Sequence, residues 1–197
     1  MTVPPIDPAT TALLVMDYQP GIIGRLPDPD AQLARAERAL ATMRTRGGHV
    51  GYVRVAFTDG DLDAMPETSA MRRALARPEA AAALHADSPH TQVHERLAPR
   101  DGDIVVRKVR VGAFSTTDLA DQLRARGVDT LVLAGLSTSG VVLSTVRDGA
   151  DRDFRIYVLS DASADPDAEV HEFLTTRVFP RQAEVITTDE LDARLAG

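Results

Sequence analysis

Apolar residues in this chain follow two rhythms. Short unbroken runs of strand length alternate with longer stretches in which apolar positions recur every three or four residues. The clearest pair is Asp129 to Ala150, DTLVLAGLSTSGVVLSTVRDGA. Thr130 to Ala134 reads as a buried strand. Gly135 and the small polar stretch Leu136-Ser137-Thr138-Ser139-Gly140 read as a turn, and a helical pattern begins at Val141. Earlier, Thr11 to Asp17 (TALLVMD) is a continuous apolar run ending in an acid, as a central strand covered on both faces would be. Tyr18-Gln19-Pro20-Gly21 turns the chain. Asp28-Pro29-Asp30 starts a helix, and Ala31 to Arg46 carries Leu33, Ala36, Leu40 and Met43 at helical spacing until Gly47-Gly48 stops it.

His49 to Phe57 reads as the second strand and Asp103 to Lys108 as the third. Thr116 to Gly127 follows as a helix, then Phe154 to Leu159 as a strand. Asp165 to Val178 is a helix opened by Asp165-Pro166, Ala183 to Ile186 a last short strand, and Thr188 to Leu195 a closing helix. Residues 58–100 lack strand pattern, are alanine-rich at the centre and hold four prolines. The expectation there is a short helix or two within a covering excursion that lines a site or an interface.

Strands alternating with helices imply an α/β fold of three layers, a six-stranded parallel sheet between helices, built as one domain over residues 1–197. Asp17, Lys108 and the turn before Val141 then share the sheet's carboxyl edge, where open α/β sheets bind ligands. Each has a plain reading as well: a turn-forming acid, a solvated strand end, an ordinary strand-to-helix turn.

Counting changes the weight of Lys108. Of 22 basic residues it is the single lysine, so arginine serves wherever else a cation stands. A compact ammonium that can shift its pKa is not replaceable by arginine, whereas a surface cation is. The net charge of −7 and the absence of a basic stretch argue against a nucleic-acid partner. No apolar run nears membrane-spanning length, and the N-terminal MTVPPIDPATTALLVMD lacks the basic start of a signal peptide. A cytoplasmic protein is expected. There is no cysteine, hence no disulfide and no thiol chemistry. His49, His85, His90, His94 and His171 are scattered without ligand spacing.

Four blocks, LLVMDYQPG (13–21), VVRKVRVGAFSTTDL (105–119), GLSTSGVVLSTVRDGA (135–150) and VLSDASAD (158–165), make the chain resemble the isochorismatase-like (cysteine hydrolase) superfamily over nearly its whole length. The resemblance implies a Rossmann-like fold, an acid at Asp17 and a lysine at Lys108. In the family the third block reads G-[VI]-x-T-x-x-C-V-x-x-T. Gly135, Thr138, Val142 and Thr145 fit that register, and the nucleophilic cysteine falls on Val141. On that register the thioester route of the amidases is excluded. Gly135-Leu136-Ser137-Thr138-Ser139 ends in serine where a nucleophile elbow has glycine.

Isochorismatases proper lack the cysteine and cleave a vinyl ether by protonating it. The resemblance therefore implies Asp17 as general acid, Lys108 as its partner and Val141 in the nucleophile's place. It implies substrate contacts from Gln19, Phe57, Phe114, Leu136, Ser137 and Gly140. It also implies a cis bond between Leu136 and Ser137 that aims the Ser137 and Val141 N–H groups at one point. The metal-binding Asp-x-His of nicotinamidases has no counterpart in Arg54 to Asp61. No metal and no cofactor are expected. The partners expected are a small-molecule substrate and further copies of the chain in a homodimer or larger homo-oligomer. The alternative is a protein that kept the fold, lost catalysis and binds a small molecule.

Overall fold

A computed structural model describes residues 5–195. The expected 1–197 domain and the N-terminal stretch weighed as a signal peptide both include residues that lie outside the described ones, 1–4 and 196–197. Chain order is β1 Thr11–Met16, α1 Pro20–Ile23, α2 Pro29–Thr45, β2 His49–Val55, α3 Asp59–Asp63, α4 Ala70–Ala74, α5 Pro78–Ala83 and β3 Ile104–Lys108. There follow α6 Leu119–Ala125, β4 Thr130–Leu136, α7 Leu143–Asp151, β5 Arg155–Ala164, α8 Ala168–Phe173, β6 Glu184–Ile186 and α9 Thr188–Leu195. The six strands form one sheet in the order β3-β2-β1-β4-β5-β6, every pairing parallel.

The unbroken apolar run of β1 is explained by its place at the centre of that sheet. All six of its residues are buried. Leu13 and Val15 join the core on one face with α2, and Ala12, Leu14 and Met16 join the core on the other with α6 and α7. α2 starts where expected because the Asp28 carboxylate accepts from the Ala31 N–H and Pro29 sits in the first turn. It buries Leu33, Ala36, Ala39, Leu40 and Met43, a stripe at helical spacing.

Several boundaries differ from the sequence reading, each for a tertiary reason. Tyr18 to Gly21 is not only a turn, since α1 begins at Pro20. β2 stops at Val55 rather than Phe57 because the Gln19 amide takes both the N–H and the carbonyl of Val55. Phe57 bridges instead to His85. The 58–100 excursion forms three short α-helices and two 3-10 turns, not one or two helices, over a small core of Phe57, Met65 and Leu75. The expected helix at Thr116–Gly127 is confined to α6.

β5 runs on past Leu159. After an irregularity beyond Leu133, β4 resumes pairing with it, Gly135 opposite Ser163 and Leu136 opposite Ala164. α8 starts at Ala168, not at Asp165. Asp167 caps it by accepting from Glu169 and Val170, while Asp165 accepts the Ser139 N–H at 2.7 Å. The stretch Leu174–Val178 is a π turn. Val141, expected to open a helix, lies inside a π turn over Thr138–Val142 that leads into α7.

Candidate active site

Strand order reverses between β1 and β4, since β2 and β3 lie to one side and β5 and β6 to the other. Loops leaving such a point diverge and open a crevice at the strands' carboxyl ends. A cavity of about 340 Å³ fills this crevice. Five strands feed it: Asp17 after β1, Val55 at the end of β2 and Phe57 beyond it, Lys108 at the end of β3, Leu136 at the end of β4 with Ser137, Gly140 and Val141 beyond it, and Ala164 at the end of β5 with Pro166 beyond it. That volume lies at the lower end for small-molecule pockets.

At its base Lys108 Nζ meets Asp17 Oδ2 at 2.9 Å, and the two side chains are only 3% and 6% exposed. The ammonium also donates to the carbonyls of Arg110 at 3.3 Å and Val111 at 3.0 Å. Its three N–H bonds thus have three acceptors. Asp17 Oδ1 is buried without a hydrogen-bond partner. Burial pushes the Asp17 carboxyl up to about 6, and Lys108, by charge and hydrogen bond, opposes this without overcoming it.

Asp17 is held in an unusual backbone conformation, with φ at 59°. Its N–H donates to Val53 O at 2.8 Å and its carbonyl accepts from Gln19 N at 2.8 Å. The Gln19 amide then staples the turn. Nε2 donates to Val55 O at 2.9 Å and Thr91 O at 2.7 Å, and Oε1 accepts from Val55 N at 2.8 Å.

On the facing side the Leu136–Ser137 bond is cis. Gly135 lets the following turn fold back closely: a Cβ there would lie 2.8 Å from Val142 Cγ2 and 3.3 Å from Val141 Cγ1. The turn is tied to the β5–α8 segment by Asp165 and by a 2.8 Å bond between Thr138 Oγ1 and His171 Nδ1. Burial lowers the His171 pKa.

Of the residues singled out in the sequence, Asp17, Lys108, Val141, Phe57, Leu136, Ser137 and Gly140 line this one cavity. Gln19 and Phe114 do not. Gln19 is buried behind Asp17 with its amide committed to the backbone. Phe114 is buried in the core, stacked on Phe154 at 5.8 Å with Arg152 over its ring. Sequence reasoning missed Arg25, Arg110, Met71 and Leu84, which also line the wall. Arg110 lies within a recognised block, so nearness to Lys108 was its one available signal. Met71 and Leu84 come from the excursion, whose fold no periodicity specified. Among the described residues, no group of three or more His, Cys, Asp or Glu side chains is placed to hold a metal ion, and no helix is long and apolar enough to cross a membrane.

A fully parallel six-stranded sheet with its cavity at the switch point defines a Rossmann-like α/β protein. The chain belongs to the isochorismatase family, whose Isochorismatase domain matches residues 11–190. It is 32% identical over 94% of its length, and 94% of the relative's, to the uncharacterized isochorismatase family protein YwoC of Bacillus subtilis strain 168. It is 34% identical to a probable isochorismatase of Pseudomonas chlororaphis, covering 94% of this chain and 86% of that one. The structure superposes on a cysteine hydrolase from Pseudomonas syringae pv. phaseolicola 1448A with a TM-score of 0.86 at 29% identity, covering 100% of this chain and 99% of that one.

Proposed function

We propose that the chain is a hydrolase of isochorismatase type that acts on a small molecule without a covalent cysteine intermediate, with Asp17 as general acid/base and Lys108 as its electrostatic partner. The observation that carries this reading is the buried pair itself. Burial pushes the Asp17 carboxyl up to about 6, within reach of physiological pH, and the residue lines the cavity while its buried Oδ1 has no hydrogen-bond partner. A carboxyl held near the working pH suits proton transfer. At pH 7 about a tenth of it carries the proton.

With an enol ether as substrate, protonated Asp17 gives its proton to the terminal vinyl carbon. The neighbouring carbon becomes an oxocarbenium ion, water adds to it and returns a proton to the Asp17 carboxylate, and the neutral hemiketal collapses to a carbonyl compound and an alcohol. The Asp17 carboxylate left behind faces the cation and stabilises it, while Lys108 fixes its orientation. Val141 stands where a nucleophile would, and its methyl groups add apolar surface beside the Asp17–Lys108 pair. The chain contains no cysteine that could form a thioester. Ser137, Gly140, Leu136 and Phe57 complete the contacts to substrate, with Gln19 positioning Asp17 from behind.

Val141 also favours a second reading, a binding protein that kept the cavity and lost the chemistry. Turnover of isochorismate and of small amides separates the two. An Asp17→Asn variant should lose at least about a hundredfold in rate. Activity surviving that change would remove the mechanism, and ligand-induced thermal stabilisation without turnover would favour the binding protein. With the hydrolase reading go one functional unit over 1–197, a cytoplasmic location, no cofactor, and assembly into a homodimer or larger oligomer.

A further inference from the structure

His171 does not line the cavity, yet it holds the cavity's wall from behind. The turn after β4 places Ser137, Gly140 and Val141 on the cavity, and the end of β5 places Ala164 there with Pro166 beyond it. Thr138, in the middle of the turn, is fully buried and is not part of the lining. Among the described residues, the one hydrogen bond found for its hydroxyl is the 2.8 Å contact with His171 Nδ1 on α8. A second tie lies beside the first. The Asp165 carboxylate, between β5 and α8, accepts the Ser139 N–H at 2.7 Å and the Asp167 N–H at 3.3 Å. Two adjacent turn residues are thus fastened to one short segment, Thr138 by its side chain and Ser139 by its backbone.

We propose that His171 is a positioning residue: as a neutral ring protonated on Nε2, it accepts the Thr138 hydroxyl proton at Nδ1 and so locks the turn that carries Ser137, Gly140 and Val141 against the β5–α8 segment. The effect on catalysis rests on the hydrolase reading; the clamp itself does not. A buried hydroxyl that gives its proton to nothing costs free energy. Thr138 has Nδ1 to give it to, provided that Nδ1 is a bare lone pair. A charged ring carries a proton on both nitrogens. Nδ1 would then donate to Thr138, and the Thr138 proton would be left without an acceptor in the buried interior. The surroundings favour the neutral ring. Burial lowers the His171 pKa and outweighs Asp165, the one charged group acting on the ring among the described residues, and a hydrogen bond to the Ser160 backbone on β5. Acid therefore acts on the two titrating groups in opposite senses. It supplies the proton that Asp17 needs, and it charges His171 and loosens the wall that faces Asp17.

The test reads the ring and the turn directly on the whole chain and needs no substrate. Long-range proton–nitrogen spectra of the isotope-labelled protein show which ring nitrogen carries the proton, the His171 signal being the one absent from His171→Asn. A neutral ring protonated on Nε2 is expected at pH 7. On acidification the backbone amide signals of Ser137, Gly140 and Val141 should move with the same midpoint as the ring. That transition should persist in Asp17→Asn and vanish in His171→Asn. In Thr138→Val the ring should still titrate and the turn should no longer follow it. Turnover adds a second readout. With isochorismate as the probe, His171→Leu should lower kcat about tenfold or more, with a smaller change in KM. His171→Asn should recover most of that loss, because its Oδ1 stands in for Nδ1 as an acceptor and cannot be charged, and it should also remove the fall in rate at acid pH. Thermal melts show which variants are folded, and the near-isosteric Thr138→Val carries the test if His171→Leu is not. A neutral ring protonated on Nδ1, turn amides that ignore the ring's titration, or full kcat in folded His171→Leu overturns the proposal. Failure of the hydrolase reading looks different. A parent chain without turnover removes that reading, and the spectra alone then decide the clamp.

Discussion

Replacing Asp17 with Asn tests the balance of forces at the base of the cavity without knowledge of the substrate. Two effects act on this carboxyl in opposite directions. Burial disfavours its charge and the ammonium 2.9 Å away favours it. An ordinary salt-bridged acid has a depressed folded pKa, so its contribution to stability is lost as pH falls. Here burial wins, and the folded value is about 6 against 3.8 in the unfolded chain. The folded state therefore binds more protons than the unfolded state between these values, and stability falls as pH rises through them. The full change is about 3 kcal/mol, from roughly two pKa units at about 1.4 kcal/mol each, most of it between pH 4 and 7. Asn cannot titrate. Its amide oxygen can still accept from Lys108, which limits other damage. Urea unfolding at several pH values from 4 to 7.5 should show the variant gaining on the parent by about 2–3 kcal/mol as pH rises. A difference that does not vary with pH, or one with the opposite slope, would refute the claim that desolvation outweighs the ion pair.

Three further expectations follow from the same geometry. Val141→Cys places the chain's single thiol in the cavity, so iodoacetamide should add one label by mass spectrometry, and ligand should slow the reaction. Failure to label would mean that position 141 does not face the site. Gln19→Leu strands the Val55 N–H and removes a donor from the carbonyls of Val55 and Thr91, the latter keeping its bond from Arg54, at an expected cost of about 1–3 kcal/mol in denaturant unfolding, with weakened binding or turnover because Asp17 loses its support. An unchanged midpoint would remove the staple. Light scattering at micromolar concentration should give a dimer or larger assembly, and a monomer mass would count against the expected oligomer.

What the sequence determined by itself was whatever depends on local pattern. The apolar run of β1 is apolar throughout because both faces of a central parallel strand are covered. The helical stripe of α2 and its Asp28-Pro29 start reflect short-range geometry and capping. The order of these elements implied a parallel sheet, and a parallel sheet brings the residues after its strands to one edge. The order of elements alone therefore made neighbours of Asp17, Lys108 and the turn at 136–141, which do line one cavity. Tertiary structure decided what depends on residues far apart in the chain. Gln19 follows Asp17 in sequence as a substrate contact might, yet three backbone partners, two at Val55 and one at Thr91, turn it into a staple. Phe114 sits in a recognised block, but core packing against Phe154 holds it away from the cavity. Asp165 has the sequence setting of a helix start, but the Ser139 N–H claims its carboxylate and the helix begins later. The sign of the Asp17 shift needed both its burial and its distance to Lys108. Electrostatic balance is a property of three-dimensional surroundings, and no spacing along the chain encodes it.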